Sequence, residues 1–275
     1  MSLVAFPRRP LAGTVVLATA GALSLLTPTS ASAARVPDPV VYSTPGDATY
    51  TVPDGVTVID LALRGGGGGG GGGGFGGFGA NFLGGGKGGG GGAGATAVEC
   101  RLEVKPGQKL MITVGDPGPG GPGIKTPSDE RFVTNGTASQ VLADGERQPD
   151  VAPPTPGGMD GIHYVDTIEP GTPGTGFTDG ADCAQTEPVV FIGGSGTAGQ
   201  SPGRDGSGGA GGSGGKAGTT DVLTANCPAG SGDGGSGGNG GPGGTGAETA
   251  GTDGTPGGNG CVVLTFPEQP APATS

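Results

Sequence analysis

The residues best able to do chemistry in this chain are its four cysteines, Cys100, Cys183, Cys227 and Cys261. None are in CxxC spacing, the arrangement that would suit a metal or a redox couple. An even, widely spaced set behind an export signal suits disulfides instead. Four cysteines allow three pairings. The favoured one joins Cys100 to Cys261 across two framework strands and nests Cys183–Cys227 inside it. His163 is the only histidine. A Ser-His-Asp triad assembles in space, so spacing alone does not reveal one. This histidine, however, sits in an irregular stretch with no nucleophile-elbow sequence, and no catalytic residue is expected. Asp205, Asp221, Asp233 and Asp253 invite a calcium reading. A calcium-binding nonapeptide needs a large apolar residue two places after its aspartate. Gly232-Asp-Gly-Gly-Ser236 lacks it, so these are read as solvated carboxylates and no metal is expected. Gly193-Gly-Ser-Gly196 and similar runs give GxGxxG matches by composition, without a Walker lysine or a βαβ unit, and no cofactor is expected. Asn135-Gly-Thr137 is a formal glycosylation triplet, meaningful only in a host with that machinery.

The chain that must position these residues opens with an export pattern over residues 1–33. Arg8 and Arg9 precede an apolar run, Leu11–Leu26, and Ala31-Ser-Ala33 offers a small-residue cleavage site. The run is short and broken by Gly13 and Gly21, which argues against a membrane anchor, and no later stretch is long enough to span a bilayer. The expected location is secreted, extracellular. The whole chain has 13 basic and 24 acidic residues, net −11; without Arg8 and Arg9 the mature chain carries −13. Such an acidic chain is a poor match for nucleic acid, whose binding rests on phosphate neutralisation. Acidity instead keeps a glycine-rich surface soluble.

After a Pro-rich lead-in, 34–46, period-two patterns mark strands. Tyr50–Arg64 reads as one, with Ile59, Leu61 and Leu63 on one face. Ala95–Val104 puts Val98, Cys100, Leu102 and Val104 on one face. A turn at Lys105-Pro-Gly-Gln108 leads to Lys109–Gly115, with Leu110, Ile112 and Val114 inward. A short strand is expected around Gln140–Leu142, another at Pro188–Ile192, and a last one at Cys261–Phe266. Residues 144–188, with Ile162, Tyr164, Val165 and Phe177 among Pro and Asp, read as loop or disorder. The domain is placed at 47–267, followed by a tail, 268–275.

Seventy of the 275 residues are glycine. That composition ordinarily marks a linker, because ordering glycine costs the most backbone entropy. Two features argue for order. Strands interrupt the glycine, and the glycines keep a period of three: Gly203 to Gly218, Gly232 to Gly244, and Gly251 to Gly260. Three residues per turn is the polyproline II repeat, which makes no internal hydrogen bonds. Side-by-side helices can bond one another if glycine lets the backbones approach. Ser236, Asn239, Pro242 and Thr245 would then point outward. A collagen triple helix is excluded because the Gly-X-Y register breaks within a few triplets.

The ordered set of elements resembles the bacterial and phage glycine-rich domain family. The resemblance is carried by Tyr50-Thr-Val-Pro-Asp-Gly-Val56, the strand entering Gly65–Gly74, Gly92-Ala-Gly-Ala-Thr-Ala97 and Val104-Lys-Pro-Gly107. Leu110-Met-Ile-Thr-Val-Gly115 and Gly257-Gly-Asn-Gly-Cys-Val-Val-Leu-Thr-Phe266 complete it. It implies an all-β, sandwich-like framework carrying packed polyproline II helices and long irregular loops, as in adhesin-type modules. The expected function is a secreted, non-enzymatic binding or surface-associated structural protein. Its expected partner is an extracellular or cell-surface ligand met by loops in 116–188, with self-association as a further option. A hydrolase of envelope polymers is the alternative from another class, and the sequence offers it no paired carboxylates or nucleophile. An ice- or surface-binding protein is a further alternative, disfavoured by the mixed outward residues.

Overall fold

The computed structural model of this chain describes residues 37–77, 85–126, 135–143, 146–152 (backbone only), 183, 186–243 and 249–268. The export segment 1–33, His163 with its apolar neighbours, Phe78, Phe82, Thr245 and residues 269–275 lie outside these. The β-elements are β1 Val40–Tyr42, β2 Gly46–Thr51, β3 Val58–Arg64, β4 Ala97–Glu103 and β5 Lys109–Val114. They continue with β6 Ser139–Ala143, β7 Glu146–Ala152, β8 Val189–Phe191 and β9 Cys261–Thr265. A five-stranded antiparallel sheet has the order β1-β9-β3-β4-β8, and a four-stranded one the order β2-β5-β6-β7.

Alternation decides which face is buried. Ile59, Leu61 and Leu63 of β3, Val98, Cys100 and Leu102 of β4, and Val262 and Leu264 of β9 meet Leu110, Ile112, Val114 and Val141 of the second sheet in one core. The framework is therefore an all-β sandwich. The single strand read over Tyr50–Arg64 is two strands, one in each sheet. Pro53-Asp-Gly55 breaks it, with Gly55 at φ 81° in the left-handed region that glycine tolerates. Val52 and Val56 flank the turn at 1% and 3% exposure, so the chain crosses the core edge instead of continuing one ladder. The Pro-rich lead-in also holds β1, whose Val40 and Tyr42 pack against the core opposite Leu264 and Val262. β7 falls within the stretch read as loop.

Between strands the glycine-rich segments are neither strand nor helix, yet they are closely bonded. Gly67, Gly70, Gly73 and Gly76 donate N–H bonds of 2.8–2.9 Å to the carbonyls of Gly258, Thr255, Thr252 and Thr249. One residue further along, Gly68, Gly71 and Gly74 donate to Ala93, Gly90 and Lys87 at 2.7–3.0 Å. Segment 65–77 also accepts bonds from Gly118, Gly121 and Ile124, and from Gly235, Gly238 and Gly241. A strand has neighbours on two edges only; a segment bonded on a three-residue period is held on more sides. The antiparallel pairing of β3 with β4 thus runs straight on into the glycine layer, its period changing from two to three at Arg64 and Ala97.

The burial pattern follows the same period. Gly206, Gly209, Gly212, Gly215 and Gly218 are buried, while Ser207, Ala210, Ser213, Lys216 and Thr219 are exposed. Close approach is what requires glycine here: a Cβ at Gly212 would overlap the carbonyl of Thr197, and one at Gly238 that of Thr252. A short helix, α1 Asp221–Asn226, covers part of the outer face of the five-stranded sheet. Thr220 caps it, its hydroxyl accepting from Leu223 N at 3.2 Å. Leu223 is fully buried against Ala62, Ala97, Cys261 and Val263.

Candidate functional site

Backbone amides turned outward need acceptors or water; those of Thr197, Gln200, Thr252 and Thr255 find backbone carbonyls of the neighbouring segment, and others need other acceptors. Side chains of the neighbouring segment supply them. Thr255 Oγ1 accepts from Ser236 N at 2.7 Å, and Thr252 Oγ1 from Asn239 N at 2.8 Å. Asn239 Oδ1 in turn accepts from Gly211 N at 2.9 Å, and Thr197 Oγ1 from Ser213 N at 2.7 Å. Asp233 Oδ1 accepts from Ala217 N at 3.0 Å, and Asp253 Oδ1 from Gly123 N at 2.7 Å. The outward Thr, Asn and Asp residues are therefore inter-segment clamps. Together they tile a polar surface over segments 206–219, 230–243 and 249–260. Ser236, Asn239 and Pro242 are exposed there as expected.

The aspartates do not converge. Asp205 accepts from the hydroxyl and amide of Ser207 at 2.7 and 3.0 Å, and these bonds hold its carboxyl below its ordinary pKa. Asp221 lies in the first turn of α1. Asp233 Oδ2 is paired with Lys216 Nζ at 2.6 Å, and the hydrogen bond first, then the opposite charge, raises the lysine. Among the described residues no three His, Cys, Asp or Glu side chains are grouped to hold a metal ion. Gly193 and Gly196 of the GxGxxG match are buried at period three against 85–96 and do not form a phosphate loop. In Asn135-Gly-Thr137 the threonine hydroxyl accepts from Asp116 N at 2.6 Å.

The cysteine pairing differs from the one favoured on sequence grounds. The bridges are Cys100–Cys183 and Cys227–Cys261, with Cα separations of 5.8 and 6.2 Å. Register explains why Cys100 cannot reach Cys261. Cys100 stands opposite Leu61 and faces the sandwich core, whereas Cys261 stands opposite Arg64 and faces the outer cluster. β3 also lies between their strands, which sets those strands roughly 10 Å apart, beyond the roughly 7 Å a disulfide spans, and the two cysteines are three residues out of register along it. One bridge therefore serves the core face and the other pins the turn after α1 to β9.

The outer face of the five-stranded sheet carries a second polar feature. Arg101 grips Asp60 with two bonds, Nε to Oδ1 at 2.7 Å and Nη2 to Oδ2 at 3.1 Å. The bond to Asp60 and its charge raise the Arg101 guanidinium. Val189 lies beside this pair, 53% exposed. Sequence reading missed the clamps and also Arg64, which alternation assigns to the polar face but which is only 6% exposed. A Thr, Asn or Asp at an outward place in a period-three row is the signal that could have found the clamps. Among the described residues no helix is long and apolar enough to cross a membrane.

A search of curated proteins finds no match to the sequence. A family model for a glycine-rich domain matches residues 43–267. That span takes in every strand but the first, the whole bonded glycine layer and all four cysteines, and on this extent the chain belongs to the glycine-rich domain family.

Proposed function

We propose that this is a secreted, non-enzymatic module whose glycine segments are polyproline II helices packed into a rigid platform for binding at an extracellular surface. The observation that carries this reading is the clamped surface: buried glycine amides bond to the backbone of neighbouring segments, and the exposed amides of Ser213, Ser236 and Asn239 bond to side chains of the next segment. A linker has no use for such complementarity. Polyproline II rises about 3.1 Å per residue, so successive outward side chains repeat at roughly 9 Å. A flat lattice of small polar groups suits an extended or repetitive partner better than a small molecule. That agrees with an adhesin-type role, and two disulfides suit an oxidising compartment. The outward rows are interrupted by Lys216 and Pro242, and Thr252 and Thr255 already accept backbone bonds, which does not favour an ice-binding face.

Native-state amide exchange on the oxidised mature protein tests the platform. Slow exchange at Gly209, Gly212, Gly215, Gly238 and Gly241, comparable with the core of β3 and β9, is the expected result. Exchange at these glycines as fast as in an unfolded peptide would mean that the segments are flexible spacers on a small β-domain, and the proposal would fall.

A further inference from the structure

The two open sheets have four edge strands, β1, β8, β2 and β7, and an unguarded edge is a template for another chain. Three of them are guarded. Asp47, Thr49 and Thr51 stand exposed along β2, β7 has Glu146, Pro149 and Asp150 in its sequence, and β1 packs Val40 and Tyr42 against the core. β8 has no charged residue. With the residue after it, β8 supplies three of the five exposed large hydrophobic residues among those described: Val189 at 53%, Val190 at 36% and Ile192 at 57%.

Register explains the exposure. Val190 stands opposite Val98, on the core side of its sheet. The second sheet ends at β7, which lies over β3 and β4, so β8 projects past it and leaves Val190 and Ile192 on a bare ledge. The backbone is open as well. Arg101 N donates to Thr186 Oγ1, which shows that Arg101 turns its amide toward the β8 side. Alternate residues of a strand point to the same edge, so Glu99 and Ala97 do likewise and bond their register partners, Val189 and Phe191. Val190, between these two, turns its N–H and C=O away from the sheet, and no backbone group among the described residues takes them up.

We propose that β8 is a homodimer edge, to which a second copy of this chain adds its own β8, antiparallel, about a twofold axis through Val190. A twofold contact needs a self-complementary patch, and this edge is one. With Val190 opposite Val190 of the second copy, each amide donates to the other's carbonyl. Ile192 then stands opposite Pro188, whose carbonyl accepts from the Ile192 N–H, and Val189 stands opposite Phe191. No charge meets a like charge. Glu187 falls opposite Gly193 of the second copy, next to Gly194, whose N–H donates to Lys216 O. The acid beside β8 is thus set near a lysine whose side chain is 85% exposed. The contact is small, so the dimer is a weak, reversible one. The proposal goes beyond the platform reading and does not depend on what the outward rows bind.

Sedimentation velocity of the full oxidised mature chain over rising concentration is the test, with the Val190 and Ile192 amides followed by nitrogen-15 NMR in the same samples. The expected result is a monomer–dimer equilibrium in which both amides exchange more slowly as the dimer fills. Val190→Pro removes the outward N–H without touching a bond to β4, and Val190→Lys sets like charges opposite one another on the axis. Each should abolish the dimer while leaving glycine exchange at Gly238 unchanged, which reports that the chain still folds. Val41→Lys, on the other edge of the same sheet, should leave the dimer intact. A chain that stays monomeric at every concentration would overturn the proposal, as would a dimer that survives both Val190 variants or is lost in Val41→Lys. Slow glycine exchange in a monomeric chain refutes this contact alone, and fast glycine exchange in a dimer refutes the platform alone.

Discussion

Gly238→Ala is the sharpest perturbation of the glycine layer. Gly238 N donates to Gly71 O, and Gly89 N donates to Gly238 O, both at 2.8 Å. An added methyl would fall on the carbonyl oxygen of Thr252 and stand 2.8 Å from Gly73 N. That is the line of another bond, Gly73 N to Thr252 O at 2.8 Å. Relieving the overlap forces segment 230–243 away from both 65–77 and 249–260. It breaks or stretches the bonds Gly73–Thr252, Gly238–Gly71 and Thr252–Asn239. At about 1 kcal/mol net for each bond the loss is about 3 kcal/mol. Alanine returns about 0.4–1 kcal/mol by restricting the unfolded chain. The expected net destabilisation is therefore about 2–3 kcal/mol, a fall in Tm of roughly 4–12 °C for a domain of this size. Scanning calorimetry is the suitable assay, since the chain has no tryptophan. Ser236→Ala, at the exposed position two residues earlier, is the control and should stay within about 0.5 kcal/mol. If Gly238→Ala melts with wild type, or if both variants fall alike, the close packing that demands glycine is refuted.

Two further outcomes follow from the framework. Peptide mapping of the oxidised protein should recover Cys100 linked to Cys183 and Cys227 linked to Cys261. Replacing Cys227 and Cys261 together by serine should cost about 4 kcal/mol from the loop they close, whereas a Cys100–Cys261 peptide would contradict the strand register. Alkaline stability should depend on Tyr42 and Tyr50. Burial against the core raises both phenols above their ordinary value, and the charge of Tyr42 adds to the effect at Tyr50. The folded state then holds these protons more tightly than the unfolded chain. Their contribution is complete below the unfolded phenol pKa of about 10 and is lost as pH rises through the raised folded values. A Tyr42→Phe, Tyr50→Phe double variant should show a shallower fall in Tm between neutral and strongly alkaline pH. An unchanged fall would remove the tyrosines as its cause.

Local pattern was enough to mark most of the strands and the glycine rows, though not β1, β7 or the break at Pro53-Asp-Gly55. Alternation of Ile59, Leu61 and Leu63, and of Val262, Leu264 and Phe266, marks strands with one core-facing side, because a pleated backbone sends successive side chains to opposite faces. The three-residue spacing of Gly206 to Gly218 likewise marks one edge of a segment as a contact edge. Both signals are local. Which segment meets which was set by tertiary packing, since one glycine edge is chemically the same as another and every segment offers the same carbonyls. The clamp from Asp253 to Gly123 spans 130 residues, and nothing near either residue announces the other. The cysteines show the same divide. Their number and spacing require disulfides, but the partner of Cys100 was settled by the face its strand turns inward and by β3 lying between it and Cys261. Arg64 is the extreme case: alternation assigns it to a polar face, and it is the fold around Gly232 and Ser231 that buries it.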